Sequence, residues 1–198
     1  MPYRIGLTGN IACGKSTVGQ MLAARGAEYV DADSLVHRLM VAGTPETERI
    51  VARFGPAVRA ADGSIDRAAL GAVVWRDPAA LEDLETIVHP GVRVEIRRRL
   101  AESSAAALVV DAIKLVESGL HHELDALWVV TCIPEQQFRR LMEARGLSEQ
   151  QARERIAMQP PQEEKVRHAT VVIDNSGSLA ETERQVDEAW RRAVSSEQ

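Results

Sequence analysis

The sequence predicts an α/β protein built on a doubly wound, parallel β-sheet. Along the 198 residues, short apolar runs alternate with segments of helical periodicity. This alternation is typical of parallel sheets with helices on both faces. The first apolar run, at residues 5–8, leads directly into a glycine-rich turn and a helix. Several predicted strands end in aspartate, and such sheets bind their ligands at the carboxyl ends of the strands.

Residues 9–16 match the phosphate-binding pattern G-x-x-x-x-G-K-[ST]. A glycine-rich turn lets backbone N–H groups converge on a polyphosphate, and the N-terminus of the next helix adds positive potential. We expect Lys15 to neutralise the β- and γ-phosphates and Ser16 to bind Mg²⁺. The alternative is a glycine turn with an exposed lysine. The predicted ATP-binding residues are Gly9, Asn10, Ile11, Ala12, Cys13, Gly14, Lys15, Ser16 and Thr17.

Composition excludes several classes of function. A net charge of -5 argues against a nucleic-acid or anionic-membrane surface, and 4% aromatic residues argue against base stacking. No apolar run approaches membrane-spanning length, and the first strand begins too early to leave room for a signal peptide. The two cysteines, Cys13 and Cys132, have no metal-ligand spacing. We expect a cytoplasmic protein with a small-molecule substrate, a monomer or weak oligomer without nucleic-acid or membrane partners.

The first half of the chain combines two strands with a long helical stretch. The first helix continues over residues 17–25, and a second strand covers residues 28–31. Asp33 is a good N-cap for a helix over residues 34–41. Residues 34–101 show helical patterns only, including a long helix from Asp77 with an interruption at His89-Pro90-Gly91. We interpret this stretch as a helical insertion, which in α/β proteins commonly covers a second substrate.

The second half returns to strands and adds two charged helices. Residues 107–111 form a buried strand ending in Asp111, the Walker B pattern whose aspartate holds Mg²⁺ directly or through water. Further strands are predicted at 127–132 and 170–174, helices at 134–143, 148–158 and 178–194, and a loose tail at 195–198. Basic residues 139, 140, 145, 153, 155, 165 and 167 cluster around the two middle helices. They suggest a mobile lid, the alternative being a solvated charged face.

These features favour a kinase over other phosphate-loop proteins. The sequence contains no Asn-Lys-x-Asp guanine signature, which argues against a GTPase. Arginines on a lid would stabilise a phosphoryl group in transfer. Asp33, next to the predicted second strand, could accept the proton of an attacking alcohol. If strand geometry continued through Ala32, Asp31 and Asp33 would project to the same face. The alternative is that Asp33 only caps its helix.

The sequence resembles the dephospho-coenzyme A kinase family of P-loop kinases. The resemblance spans nearly the whole chain. Its motifs are residues 5–9 with the phosphate loop, Asp31-Ala32-Asp33, His89-Pro90, Leu115-Val116-Glu117, residues 140–148, Gln159 and residues 172–177. It implies a three-layer P-loop kinase fold in one unit, with a core at 1–33, 102–133 and 168–198, a coenzyme A-binding insertion at 34–101 and a lid at 134–167.

The resemblance also implies a reaction and roles for particular residues. ATP would donate its γ-phosphate to the 3′-hydroxyl of the dephospho-coenzyme A ribose, with Mg²⁺ as cofactor. Asp33 would be the general base, Lys15 and Arg140 would hold the phosphoryl group, and Asn175 would lie near the adenine. His89, Glu117 and Gln159 would contact the acceptor, and Lys114, which the family pattern does not contain, is a further candidate contact. Two alternatives stay open: a nucleoside or nucleotide kinase, and a non-catalytic nucleotide-dependent switch.

The chain departs from the family pattern at several positions. Asn10 and Ala12 stand where the loop usually has glycine; Asn10 tolerates positive φ better than most residues, so we expect the loop to form. Lys114 lies in a stretch that usually reads Pro-Leu, and could meet a phosphate or lie on the surface. The second lid arginine is displaced by one residue, to Arg145. Cys13 is expected to be a small packing residue, although a helix N-terminus would lower its pKa.

Overall fold

The computed structural model describes residues 2–195, and within this range the predicted α/β fold is confirmed. The strands are β1 (Tyr3–Thr8), β2 (Glu28–Asp31), β3 (Ala107–Asp111), β4 (Ala126–Thr131) and β5 (Val171–Asp174). The α-helices are α1 (Lys15–Ala24), α2 (Ala32–Leu39), α3 (Pro45–Phe54), α4 (Arg67–Val74), α5 (Pro78–Glu102), α6 (Pro134–Arg145), α7 (Glu149–Ala157), α8 (Gln162–Val166) and α9 (Leu179–Ser195). Of the predicted loose tail, Ser195 ends α9, and residues 196–198 lie outside the described range.

The five strands form one sheet in the order β2-β3-β1-β4-β5, with β1 at its centre. β1 pairs in parallel with β3 on one side and with β4 on the other, and β5 runs parallel to β4. In this order the chain crosses from β3 over β1 to β4. The connection after β1 runs toward β2 at one edge of the sheet, whereas the connection after β3 runs toward β4 on the other side. The strand order therefore reverses between the carboxyl ends of β1 and β3, which is where ligands of open α/β sheets bind.

Period-two alternation along the strands builds the core against α1 and α9. Ile5, Val109, Trp128 and Ile173, from four of the strands, belong to one cluster of buried side chains with Leu22 of α1. Burying a side chain of this size contributes about 1.5–3 kcal/mol to folding. This cluster fixes α1, and with it the phosphate loop, to the sheet.

The chain divides into two compact units, which we describe separately. The first comprises residues 1–30 and 103–198 and contains most of the sheet; the second comprises residues 31–102 and contains α2 to α5. The helical unit has a core of its own. Its buried side chains are Met40, Ile50, Val58, Ile65, Leu70 and Val88. No helix within residues 2–195 combines the length and the apolar character needed to span a membrane.

Helix α5 runs through His89, Pro90 and Gly91, so the predicted interruption is wrong. A proline inside a helix removes one hydrogen bond and costs about 3 kcal/mol. Val88 and Val92 are buried on either side of Pro90, and their burial offsets that cost. Gly91 has a packing role, because a Cβ at this position would lie 2.8 Å from a methyl carbon of Leu39 on α2.

The region between β4 and β5 contains three helices instead of the predicted two. Ser148 caps α7 as predicted, accepting a hydrogen bond from the N–H of Gln151 in a complete capping box. The third helix, α8, has only five residues, with a buried Lys165. Such a short charged segment has no helical signal of its own, because isolated helices of this length are unstable. Its position depends on tertiary contacts that are described below.

Candidate active site

The phosphate loop connects β1 to α1, and both of its motif glycines are sterically required. Gly14 immediately precedes α1 with φ of 92°, and a Cβ there would overlap the amide nitrogen of Asn175. A Cβ at Gly9 would overlap the carbonyl oxygen of Val130 on β4. The loop therefore lies against β4 and against the residue that follows β5, at the carboxyl edge of the sheet.

The loop takes its left-handed turn at Ala12 rather than at Asn10. Ala12 has φ of 59°, a conformation that costs a residue with a Cβ about 1–2 kcal/mol. The Asn10 side chain instead donates a hydrogen bond to the carbonyl of Pro160 over 3.0 Å. The loop thus forms as expected. Of the two residues that replace glycine, Ala12 is the one in the strained left-handed conformation.

A buried carboxylate lies at the end of β3, beside the central strand. Asp111 is 3% exposed and accepts hydrogen bonds from the Lys15 ammonium and from the Tyr29 hydroxyl. Tyr29 on β2 was not predicted as a site residue. Its ring packs on Gly19 of α1, where a Cβ would overlap it. Nothing in the local sequence marks this tyrosine, because its partners are distant in the chain.

Ser16, the second residue of α1, is exposed at the same end of the helix as Lys15. Together with Asp111 it offers a hydroxyl and a carboxylate oxygen. Hard oxygen donors of this kind, few in number, suit Mg²⁺, which keeps several of its waters and completes its shell with substrate phosphates. The residues present therefore fit the predicted metal.

The Arg140 side chain, on α6, contacts the phosphate loop. Its guanidinium donates to the carbonyls of Ala12 and Cys13 over 3.4 and 3.3 Å, and to that of Asn175 over 2.9 Å. The Asn175 side chain is buried, donates to the Cys13 carbonyl over 2.8 Å and accepts from Thr182 over 2.9 Å. Two predicted site residues are thus brought together, and both bind the loop backbone.

Two glutamines hold the middle of the loop through Ile11. The Gln159 side chain accepts from the Ile11 N–H over 2.7 Å, and the buried Gln137 side chain donates to the Ile11 carbonyl over 2.7 Å. Gln159 was predicted as a substrate contact, and here it contacts the loop. Gln137 was missed, because a glutamine in a charged helix resembles an ordinary surface residue.

Lys165 of α8 is buried and makes an ion pair with Glu117, whose side chain is partly exposed. Lys165 is 2% exposed, and its ammonium donates to the Ile113 carbonyl over 2.8 Å and to the Glu117 carboxylate over 2.5 Å. Lys165 was grouped with the basic residues of the predicted lid, but the structure places it in the interior. Its position is set by the turn after β3, which offers a carboxylate and a free carbonyl lone pair. In that turn, Lys114 is exposed.

In the helical unit, Asp31 rather than Asp33 is the N-cap of α2. The Asp31 carboxylate accepts from the N–H groups of Asp33 and Ser34 over 2.9 and 3.2 Å. The chain becomes helical at Ala32, so the premise of continued strand geometry is wrong, and Asp33 lies exposed in the first helical turn. Because α2 begins at Ala32, Asp31 occupies the N-cap position, and its carboxylate accepts from the free N–H groups of the first helical turn. His89 is half-buried on α5.

The fold and the loop define the class. A glycine-rich loop between a central parallel strand and its helix, beside a buried aspartate on the adjacent strand and an arginine-bearing helix, is the arrangement of P-loop kinases. The model of the dephospho-CoA kinase family matches residues 3–181. The chain belongs to the dephospho-CoA kinase family and is an ATP-dependent kinase.

Relatives and solved structures agree with this assignment. The chain is 48% identical to the dephospho-CoA kinase of Symbiobacterium thermophilum, covering 98% of this chain and 82% of the relative. It is 44% identical to that of Geobacter sulfurreducens, covering 95% and 97%. Among structures, TT1252 from Thermus thermophilus matches with a TM-score of 0.83 and 34% identity over 96% of this chain and 97% of that one. Dephospho-CoA kinase from Campylobacter jejuni matches with a TM-score of 0.73 and 27% identity over the full length of both chains.

Proposed function

We propose that this chain transfers the γ-phosphate of ATP to the 3′-hydroxyl of the ribose of dephospho-CoA, the final step of coenzyme A formation. The observation that carries the proposal is the family match over residues 3–181, joined to a phosphate loop whose glycines are sterically required. We propose that the chain acts in the cytoplasm as a monomer or weak oligomer. Its partners would be the two small-molecule substrates alone.

On the donor side, the loop N–H groups and the N-terminus of α1 would bind the phosphates. Lys15 would exchange its contact with Asp111 for the β- and γ-phosphates. Arg140 is oriented by the carbonyls of Ala12, Cys13 and Asn175. An arginine positioned in this way can stabilise charge on the phosphoryl group without reorganising during transfer.

Ser16 and Asp111 are the residues proposed to hold Mg²⁺, Asp111 directly or through water. Bound there, the ion would supply charge neutralisation at the β- and γ-phosphate oxygens. The protein contributes the buried position of Asp111 and the hydrogen bond from Tyr29, which would still orient the carboxylate once Lys15 has moved to the phosphates.

On the acceptor side, Asp33 is the proposed general base. Asp31 already caps α2, so the Asp33 carboxylate is not required for capping. The insertion, including His89, is proposed to bind the coenzyme A portion. Lys114, Glu117 and Gln159 remain proposed substrate contacts. For the last two, the hydrogen bonds to Lys165 and to the loop add a positioning role.

A panel of acceptors tests the reaction. ADP release is measured with ATP and Mg²⁺ in the presence of dephospho-CoA, nucleosides or nucleoside monophosphates. The proposal expects turnover with dephospho-CoA, and phosphorus NMR of the product should show a phosphomonoester at the 3′ position. Turnover with a nucleoside alone would favour the alternative kinase. Slow ATP hydrolysis that no acceptor stimulates would favour a switch protein.

The role of Asp33 can be tested by Asp33→Asn. Loss of the base should lower kcat by about 10²-fold or more, because that is the usual contribution of general base catalysis. The dissociation constant of ATP should change little. Asp31→Asn is the matched control: it removes one charge two residues away, and asparagine is an equally good N-cap, so kcat should stay near normal. Similar kcat values in both variants would contradict the role of Asp33.

A further inference from the structure

The two cysteines of the chain, which are far apart in sequence, lie together beneath the phosphate loop. The sulfurs of Cys13 and Cys132 are 3.3 Å apart and hydrogen-bonded, and both residues are free thiols. Cys13 belongs to the loop, and Cys132 directly follows β4. They are 0% and 4% exposed, so the contact is a packed one within the first unit.

The surroundings of the pair connect it to three elements that contact the loop, namely α6, α8 and the residue after β5. The Cys13 carbonyl accepts from the side chains of Asn175 and Arg140, and its N–H donates to the carbonyl of Asn10 over 3.2 Å. The Gln162 side chain at the start of α8 accepts from the Cys132 N–H over 3.4 Å and approaches the Cys13 sulfur at 3.9 Å. A displacement of Cys13 would therefore be transmitted to the whole loop.

The two thiols differ in acidity. The hydrogen bond to Cys13 lowers the pKa of Cys132, and the Arg140 guanidinium acts in the same direction. The hydrogen bond to Cys132 and burial raise the pKa of Cys13, contrary to the expectation that the helix N-terminus would lower it. Since the thiolate is the reactive form, these directions favour Cys132 as the nucleophile of the pair.

We propose that Cys13 and Cys132 form a reversible disulfide that switches off nucleotide binding by the phosphate loop. A disulfide has sulfurs about 2.05 Å apart, so the sulfurs must approach by about 1.2 Å from their 3.3 Å contact. Closing that gap pulls Cys13 toward the end of β4. Its carbonyl then moves relative to Asn175 and Arg140, and the loop N–H groups lose their convergence on phosphate.

The oxidant is a peroxide, and the chemistry balances in two steps. The Cys132 thiolate attacks one oxygen of hydrogen peroxide, the O–O bond breaks, and the products are a sulfenic acid and, after protonation, water. The Cys13 sulfur then attacks the sulfenic sulfur, forming the S–S bond and releasing a second water. Two thiols lose two electrons to one peroxide. A dithiol reductant reverses the reaction by thiol–disulfide exchange.

The experiment uses the full-length reduced protein treated with hydrogen peroxide. Free thiols counted after denaturation should fall from two to none, and peptide mapping should find Cys13 linked to Cys132. Affinity for ATP, measured by calorimetry before and after oxidation, should fall by about 10-fold or more, since displacements near 1 Å are costly in preorganised sites. A dithiol should restore both the thiols and the affinity.

Cys132→Ala is the control, with Cys132→Ser as a second variant should the alanine variant fold poorly. Neither can form the crosslink, so ATP binding should survive the same peroxide treatment. Equal loss of binding in these variants would overturn the proposal, as would a wild-type crosslink that leaves ATP affinity unchanged. The effect on binding rests on the proposed function of the loop. A reduced chain that does not bind ATP would refute that function, whereas a reduced chain that binds ATP but forms no crosslink would refute this inference alone.

Discussion

At the scale of single residues, the phosphate loop combines required glycines with one strained position. Gly14 cannot carry a Cβ because Asn175 occupies that space, whereas Ala12 carries one in a left-handed conformation. The surrounding hydrogen bonds hold Ala12 in place: Arg140 binds its carbonyl, and Gln137 binds that of Ile11. The strain is local, and a single substitution can relieve it.

Ala12→Gly should raise the free energy of unfolding by about 0.5–1 kcal/mol. Glycine removes the left-handed cost of about 1–2 kcal/mol, and its greater unfolded-state entropy returns part of that gain. Urea denaturation measures the change. The control is Ala23→Gly, at an exposed position in α1, which should lower the free energy of unfolding by about 0.5–1 kcal/mol. Destabilisation of similar size in both variants would contradict the assignment of strain to Ala12.

At the scale of elements, the short helix α8 is anchored by the ion pair of its buried lysine. Its Lys165 reaches the turn after β3 and binds Glu117 and the Ile113 carbonyl. The same Ile113 carbonyl accepts from the Thr8 hydroxyl at the end of β1 over 3.0 Å. Helix α8 is thereby tied to the strand that leads into the phosphate loop.

Lys165→Met should lower the free energy of unfolding by about 2 kcal/mol. Methionine retains the apolar stem but loses two charge-assisted hydrogen bonds from a buried donor. Urea denaturation again measures the change. Arg139→Met is the matched control, because Arg139 pairs with Glu143 on the surface of α6 at 3.9 Å, and such pairs contribute about 0.5 kcal/mol or less. Equal losses of unfolding free energy in the two variants would show that burial of Lys165 does not strengthen its ion pair.

The pKa of Glu95, on helix α5, is lowered by its arginine neighbours. Hydrogen bonds from Arg98 and then Arg99 lower the pKa of Glu95 to about 2. A group whose pKa is depressed by folding stabilises the protein above its unfolded pKa, near 4.3, and loses that contribution as the pH falls toward 2. The contribution of Glu95 therefore disappears on the acid side.

Glu95→Gln should be destabilising at pH 6, and the difference from the unmodified chain should shrink as the pH falls from about 5 toward 2. Urea midpoints measured across this range provide the test. Repeating the comparison in an Arg98→Met background should remove most of the pH dependence, because Arg98 is the main cause of the shift. A difference that stays constant with pH in the original background would contradict the assignment.

At the scale of the whole molecule, a helical unit made of one continuous segment interrupts the sheet-bearing unit. Residues 31–102 leave the sheet after β2 and return to it before β3, with an independent core around Ile50. Separate cores make separate opening transitions possible, because local stability follows local packing.

Ile50→Ala should lower the stability of the helical unit by about 2–5 kcal/mol, since it leaves a cavity at a fully buried position. Hydrogen exchange should show faster opening of α2 to α5, with the amides of β1, β3 and β4 little changed. Ile50→Val, which removes one methylene, should have the same pattern at about 0.5–1.5 kcal/mol. Equal loss of protection in both units would show that the chain unfolds as one cooperative body.

Local patterns were enough to predict much of this molecule. The phosphate loop, the strand ending at Asp111 and the Ser148 cap depend on contacts between residues close in sequence, so they could be predicted from the sequence. The same holds for Lys15 and Ser16, whose positions follow from the motif and the start of α1. The family resemblance rested on these and similar short motifs.

Contacts between residues far apart in the chain could not be predicted from the sequence. Tyr29 reaches Asp111 across 82 positions, Gln137 reaches Ile11 across 126, and Lys165 reaches Glu117 across 48. None of these side chains carries a local signal, because a tyrosine, a glutamine or a lysine acquires its role from its partner. Continuation of α5 through Pro90 has the same origin. The nucleotide-binding loop is therefore specified by residues that are adjacent in the chain, whereas the contacts that hold the loop are specified by long-range packing.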